Sequence, residues 1–290
     1  MREAAPAKIN LYLHVAGRRS DGLHLLDSLV VFAALGDVVT VSPGAVISLT
    51  RSGPQAGALP PVEDDLVHRA AHMLADRAGA AAGAAIHVEK NLPIASGIGG
   101  GSADAAAAIR ALARLWEIEL PPALLASLAE DLGADVTVCL VSQPALVSGI
   151  GETLSSPGPL PPLHAVLVNP RVAVPTAEVF AAFAAGPPAL PADPNPIDAW
   201  SSDPATFIGQ LARHRNDLTD AALSLCPVIG DVLAGLGAQP ECQLARMSGS
   251  GATCFGLFTT PAAAQAAADA IGRDKPNWWV AATGLETATG

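Results

Sequence analysis

Lysine is nearly missing from this chain: Lys8, Lys90 and Lys275 are the only three among 16 basic residues in a length of 290. Acidic residues number 27, which leaves a net charge of −11, and a body of that sign repels a phosphate backbone unless one face is locally basic. Nucleic acid is therefore a poor partner. Cysteine is sparse as well, and Cys139, Cys226, Cys242 and Cys254 form neither a C-x-x-C pair nor a zinc-finger spacing, so free thiols in a reducing compartment are expected. Long apolar runs are also lacking. Glu3 and Lys8 interrupt the N-terminus where a signal peptide needs an apolar stretch, and the uncharged run over 136–151 is too short to cross a bilayer. The expectation is a soluble cytoplasmic protein with no membrane partner and no obligatory protein partner. His68 and His72 lie four apart without the Glu of H-E-x-x-H, and no G-x-S-x-G occurs, so neither a zinc protease nor an esterase is supported.

What is present is apolar residue in quantity, 50% against 15% charged, enough to bury a core, in a length that suits two domains or one large one. Residues 8–15 alternate in the manner of a strand, with Ile9, Leu11, Leu13 and Val15 on one side and Asn10, Tyr12 and His14 on the other. Residues 29–35 and 37–41 read as further strands, 65–77 as a helix, and Ile86 with Val88 as a short strand. A glycine cluster then opens an alanine-rich helix from Ala103, and a second helix over 123–132 ends at Gly133, a residue type suited to a left-handed cap. Residues 154–162, LSSPGPLPP, mark the best boundary and divide the chain into domains 1–155 and 156–290. Beyond it come a strand over 165–168, a helix over 177–183 and a proline-rich surface loop over 187–196. The order is mixed α+β, without the alternation of a doubly wound sheet.

Chemistry concentrates in three places. GIGGGSADAA, residues 97–106, brings backbone N–H groups and a helix N-terminus together, which suits a phosphate, although a turn that merely packs would use the same residues. It is neither a P-loop, since no G-K-[ST] follows, nor a dinucleotide fingerprint, since Ser102 takes the third glycine's place. Lys8, in a chain that otherwise uses arginine, is either a solvated strand end or a compact ammonium that chemistry requires. Asp135, in GADVTVCLV, is either a helix cap or a partly desolvated carboxylate that, beside a lysine, accepts a proton from a hydroxyl. The later cluster SGSG at 248–251 wraps a phosphate or a neighbouring loop.

Taken in order, PAKINL at 6–11, PIASGIGGGSADAA at 93–106 and SGSGATCFG at 248–256 resemble the GHMP kinase superfamily. The segments at 17–32, 132–140 and 174–180 narrow the resemblance to its branch acting on a cytidylyl-bearing tertiary alcohol. The resemblance implies a two-domain α+β fold, with an N-terminal ATP-binding domain of ribosomal-protein-like β/α type, a C-terminal α+β domain, and the site in the cleft between them. It implies Asp135 as general base and Lys8 as its catalytic partner. It places ATP on Pro93, Ile94, Ala95, Ser96, Gly97, Ile98, Gly99, Gly100, Gly101, Ser102 and Ala103, with Asp65 near the adenine, and Mg2+ accompanying the nucleotide close to Ser102. Asn10, Leu23, His24 and Phe180 would take the cytidylyl substrate. Two positions depart from the family pattern: Leu23 replaces the tyrosine of D-G-Y-H, which removes one aromatic wall, and Asp65 replaces an asparagine, which can accept from an adenine amine but not donate. Another small-alcohol kinase of the superfamily, such as a homoserine kinase, is the alternative. A silent ligand sensor of the same fold would lack the base or the lysine, and both are present.

Overall fold

The computed structural model describes residues 1–80, 83–186 and 199–287, and the loop expected over 187–196 lies outside them. Two long strands open the chain, β1 (Arg2–Arg18) and β2 (His24–Gly44). In β1 the apolar set Ile9, Leu11, Leu13 and Val15 is buried, and so are Asn10, Tyr12 and His14 on the other side. The strands expected over 29–35 and 37–41 are one continuous element. Gly36 does not break it, because a Cβ there would stand 2.2 Å from the Ala5 carbonyl oxygen, so the glycine serves the close approach of two backbones.

There follow β3 (Ser48–Ser52), α1 (Leu66–Ala78), β4 (Gly83–Glu89), α2 (Gly100–Leu115), α3 (Pro122–Leu132) and α4 (Ala134–Val141). After them come β5 (Ala145–Gly149), β6 (Thr153–Ser155), β7 (Leu163–Asn169), α5 (Thr176–Ala185), α6 (Pro204–Leu211), α7 (Thr219–Leu225) and α8 (Val228–Gly237). The chain closes with β8 (Leu244–Met247), β9 (Cys254–Phe258), α9 (Pro261–Asp274) and β10 (Trp279–Glu286). The fold is α+β, and among the described residues no helix is long and apolar enough to cross a membrane.

Local chemistry explains where these elements start and stop. Helix α1 begins because Asp65 caps it, accepting from the Val67 N–H, and ends at Gly79, whose φ of 67° is left-handed. Gly133 behaves differently from the left-handed cap expected of it. Its φ of 120° and ψ of 150° lie outside the αL region, in a positive-φ conformation that suits glycine, and its N–H closes α3 on Ala129 while its carbonyl already accepts from Val136 to start α4. Asp135 therefore lies in the first turn of a new helix.

Packing divides the described residues into two compact units. One comprises residues 1–8, 35–94 and 99–142. In it, β4 pairs parallel with β3 and antiparallel with Val38–Gly44 of β2, and α1, α2, α3 and α4 pack together. Ala105, Ala106, Ala107 and Ala108 of α2 are fully buried, and their small side chains let neighbouring helices come close. The second unit comprises residues 9–34, 95–98 and the described part of 143–290. Its strands run antiparallel in the order β2, β10, β7, β9, β8, with β5 and β6 attached along Leu26–Val30 of β2. A core of Val166, Val168, Ile229, Val232, Met247 and Phe258 fills it. Packing thus cuts the chain several times, whereas a domain boundary at residue 155 cuts it once.

Candidate active site

In the first unit, Lys8 and Asp135 form an ion pair, with Lys8 Nζ donating to Asp135 Oδ1 at 2.5 Å. The lysine side chain is 6% exposed and the aspartate 51%, so the ammonium is sealed while one end of its partner stays open. Lys8 is thus not a solvated strand end. Asp135 stands in the first turn of α4, where the helix dipole favours a negative charge. One turn on, burial and the neighbouring Asp135 charge push the Cys139 thiol up to about 12, which leaves it protonated and inert.

Gly99 lies against this pair. It caps α2 with a φ of 64°, and a Cβ on it would stand 3.1 Å from Lys8 Cβ, so the lysine stem runs along a face that only glycine leaves clear. The first intrahelical hydrogen bond of α2 runs from Ala103 N–H to the Gly99 carbonyl at 2.8 Å. The N–H groups of Gly100, Gly101 and Ser102 come ahead of it, at the positive end of the helix dipole. A Cβ on Gly101 would meet nothing within 4 Å. Sealed ammonium, open carboxylate and three forward N–H groups are the parts that phosphate transfer to an alcohol uses.

In the second unit, the two glycine clusters meet. Thr253 N–H donates to the Ser96 carbonyl at 3.0 Å and the Ser248 hydroxyl to the Gly97 carbonyl at 3.1 Å. A Cβ on Gly97 would come within 2.5 Å of the Ser248 carbonyl oxygen. Of the two uses open to SGSG, the structure displays the neighbouring loop. Residues 95–103 therefore have two parts: residues 95–98 belong to the unit that holds 248–253, with Ser96 and Gly97 bonded to it, and Gly99 to Ala103 open the helix.

The substrate candidates also lie in the second unit. Asn10 is buried, its Nδ2 donating to Ser28 Oγ at 2.8 Å and its backbone N–H to Ser248 Oγ at 3.1 Å. Asn10 Oδ1 has no partner among the described residues, an unspent acceptor. The His24 and Phe180 rings stack with centroids 5.0 Å apart, and burial, together with the charge of Arg18, lowers the His24 pKa. Leu23 beside them is 48% exposed. Sequence reasoning missed Phe183, whose ring meets His24 edge-on at 5.9 Å; its only signal is the three-residue spacing from Phe180 on α5. It also missed Tyr12, whose hydroxyl donates to Asp27 Oδ1 at 3.1 Å beside His14.

Asp65, in the first unit, has both oxygens engaged, Oδ1 by the Val67 N–H and Oδ2 by Arg51, each at 2.9 Å. His68 and His72 touch on α1, and among the described residues no three metal-ligating side chains cluster.

The family described as GHMP kinases N terminal domain matches residues 65–143, and that described as GHMP kinases C terminal matches residues 205–277. A 4-diphosphocytidyl-2-C-methyl-D-erythritol kinase of Cereibacter sphaeroides is 52% identical over 286 residues, covering 97% of this chain and 98% of its own. One from Paramagnetospirillum magneticum is 50% identical over 277 residues, covering 96% and 95%. Among solved structures, a 4-(cytidine 5'-diphospho)-2C-methyl-D-erythritol kinase matches with a TM-score of 0.77 at 35% identity, over 99% of this chain and 100% of its own. A homoserine kinase from Cytophaga hutchinsonii, 19% identical over 99% of this chain and 95% of its own with a TM-score of 0.68, shares the fold.

Proposed function

Because the chain belongs to the 4-diphosphocytidyl-2-C-methyl-D-erythritol kinases of the GHMP superfamily, we propose that it phosphorylates the 2-hydroxyl of 4-diphosphocytidyl-2-C-methyl-D-erythritol with ATP, in the non-mevalonate route to isoprenoid precursors. The observation that carries this reading is the Lys8–Asp135 pair beside Gly99 in one compact unit. In the reaction, the hydroxyl oxygen bonds to the γ-phosphorus, the bond from that phosphorus to the β,γ-bridging oxygen breaks, and ADP leaves. Asp135 takes the hydroxyl proton on its open side. Lys8 holds the carboxylate in position and keeps a compact positive charge where negative charge shifts between oxygens. A tertiary alcohol is crowded, so fixed placement contributes much of the rate.

The N–H groups of Gly100, Gly101 and Ser102 hold phosphate oxygens, with residues 93–103 lining the nucleotide and Asp65 toward the adenine. Ser102, in the first turn of α2, would hold a Mg2+ that accompanies the nucleotide. Such a cation neutralises phosphate charge. Asn10 Oδ1 accepts from a substrate hydroxyl, and His24 with Phe180 takes the cytosine, Leu23 contributing apolar contact without a π-face. Residues 1–155 and 156–290 serve as the two sequence domains, and the enzyme works in the cytoplasm.

The test is turnover of ATP with the cytidylyl alcohol, with the phosphorylated position assigned by NMR. A single product phosphorylated at the 2-hydroxyl is expected. Phosphorylation of homoserine in preference to the cytidylyl alcohol would replace this reading with the alternative.

A further inference from the structure

We infer that Lys90 is a positioning residue for the phosphate donor, its one ammonium fastening the chain both where it enters the glycine turn and where it leaves. The inference rests on the proposed placement of ATP at that turn. Lys90 is 6% exposed and donates to Asp37 Oδ2 and to Asp104 Oδ2, carboxylates that are 0% and 5% exposed. Asp37 Oδ1 accepts from the backbone N–H groups of Asn91 and Leu92, the residues leading into the turn. Asp104 is the fifth residue of α2, one turn behind Gly100, Gly101 and Ser102. Asp37 lies close to the turn, since a Cβ built on Gly100 would stand 3.8 Å from its Oδ2.

Stability alone does not account for this cluster. Well-packed apolar residues replace buried ion pairs at no loss and often with gain, so a sealed lysine between two carboxylates is weak evidence of stabilisation. What such a group does supply is direction: four fixed bonds hold a backbone segment and a helix at one spacing. Its charge is also suited to the place. Burial, opposed by Lys90 and reinforced by Asp37, pushes the Asp104 carboxyl up to about 8, and its Oδ1 has no partner among the described residues. Burial also works against the Lys90 charge, but Asp104 and Asp37 outweigh it and its pKa is raised. Burial of Asp104 thus favours its protonated form, which limits the negative charge behind a helix end that receives phosphates.

The test compares Asp104→Ala, Asp104→Asn and Lys90→Gln in the full chain, reading the ATP dissociation constant by calorimetry, both Michaelis constants and thermal unfolding. Asp104→Ala should raise the ATP dissociation constant and Michaelis constant roughly tenfold and leave the constant for the alcohol within about twofold, the scale on which a loosened support misplaces a bound group. Asp104→Asn, which resembles the protonated acid, should restore ATP binding. Lys90→Gln, which removes the charge and shortens the side chain that bridges the two carboxylates, should behave as Asp104→Ala does. Unchanged ATP affinity in a folded Asp104→Ala or Lys90→Gln variant would overturn the inference. So would a parallel rise in both Michaelis constants, or failure of both variants to fold, since either assigns the cluster to general structure. Failure of the unmodified chain to bind ATP would instead overturn the functional reading.

Discussion

Lys8 and Lys90 lie in one compact unit, each with a side chain 6% exposed, and differ in what they face. The partner of Lys8 is 51% exposed, while the two partners of Lys90 are 0% and 5% exposed. An ammonium with an open carboxylate leaves an acceptor that a ligand reaches. An ammonium closed on every side leaves nothing to exchange and works only as a fastening. The side chain is the same in both places, so solvent access of the partner separates a proton-transfer role from a holding role.

The largest effect should come from closing the open side of the first pair. Asp135→Asn keeps the shape and loses the ability to take a proton, so turnover should fall roughly 100- to 10,000-fold with the ATP dissociation constant nearly unchanged. Retention of more than about a tenth of the rate would remove Asp135 from the base role. Next in size is Lys8→Arg. A planar guanidinium is too wide for a stem that runs along Gly99, and a displacement of about 1 Å near the chemistry costs on the order of 100-fold. Near-normal turnover in that variant would mean that any positive charge serves at position 8.

Gly99→Val tests the seam from the other side. Its φ of 64° is strained for a branched side chain by about 1–3 kcal/mol, and the new Cβ would press on Lys8, so ATP affinity and turnover should fall together in a folded protein. Calorimetry and rate measurement on the same sample would check this, and unchanged values would make the turn a packing device only. The smallest effect on turnover belongs to the closed cluster, whose titration should show in stability instead. Between the ordinary Asp value of 3.8 and about 8, folded Asp104 keeps a proton that the unfolded chain has lost. Stability should therefore decline as pH rises through that window. Asp104→Asn should flatten the decline in denaturant titrations run from pH 4.5 to 8, and an unaltered slope would show that Asp104 is not its source.

Legibility in the sequence followed the range of the interactions. Residues 65–77 read as a helix because their apolar spacing lies within one short segment, and α1 forms there, with Asp65 capping its start and Gly79 closing it. Lys8 stood out because lysine is rare, and Asp135 because a carboxylate entered an apolar run; the structure pairs them across 127 positions. Lys90 was equally rare, but one of its partners lies 53 positions away, at Asp37, whose surroundings read as ordinary strand. The resemblance alone puts Asp65 near the adenine, and the helix cap and Arg51 that engage its oxygens are a further use that local pattern does not separate from it, because a cap and a binding carboxylate share one residue type. Gly36 lies inside one continuous strand, and Gly133 departs from the expected cap, for a common reason. The conformation each adopts answers a neighbour, the Ala5 carbonyl in one case and a second helix in the other, that local pattern does not specify.

The burial of β1 on both sides raises a question of register. A strand with one wet face is fixed by its pattern, since a shift of one residue turns its apolar set to water, but residues 5 and 7–15 of β1 are all enclosed. Arg246 supplies a fixed point. Its buried guanidinium donates to the carbonyls of Leu11, Leu211 and His214, and burial lowers its pKa to about 10. Leu13 adds two backbone bonds, its N–H to Arg215 and its carbonyl from Asp217. A slip of one residue would break this latch and exchange Lys8 and Asn10 for Ile9 and Leu11. A cation more than two hundred positions along the chain from Leu11 thus decides which edge of the first strand is the polar one.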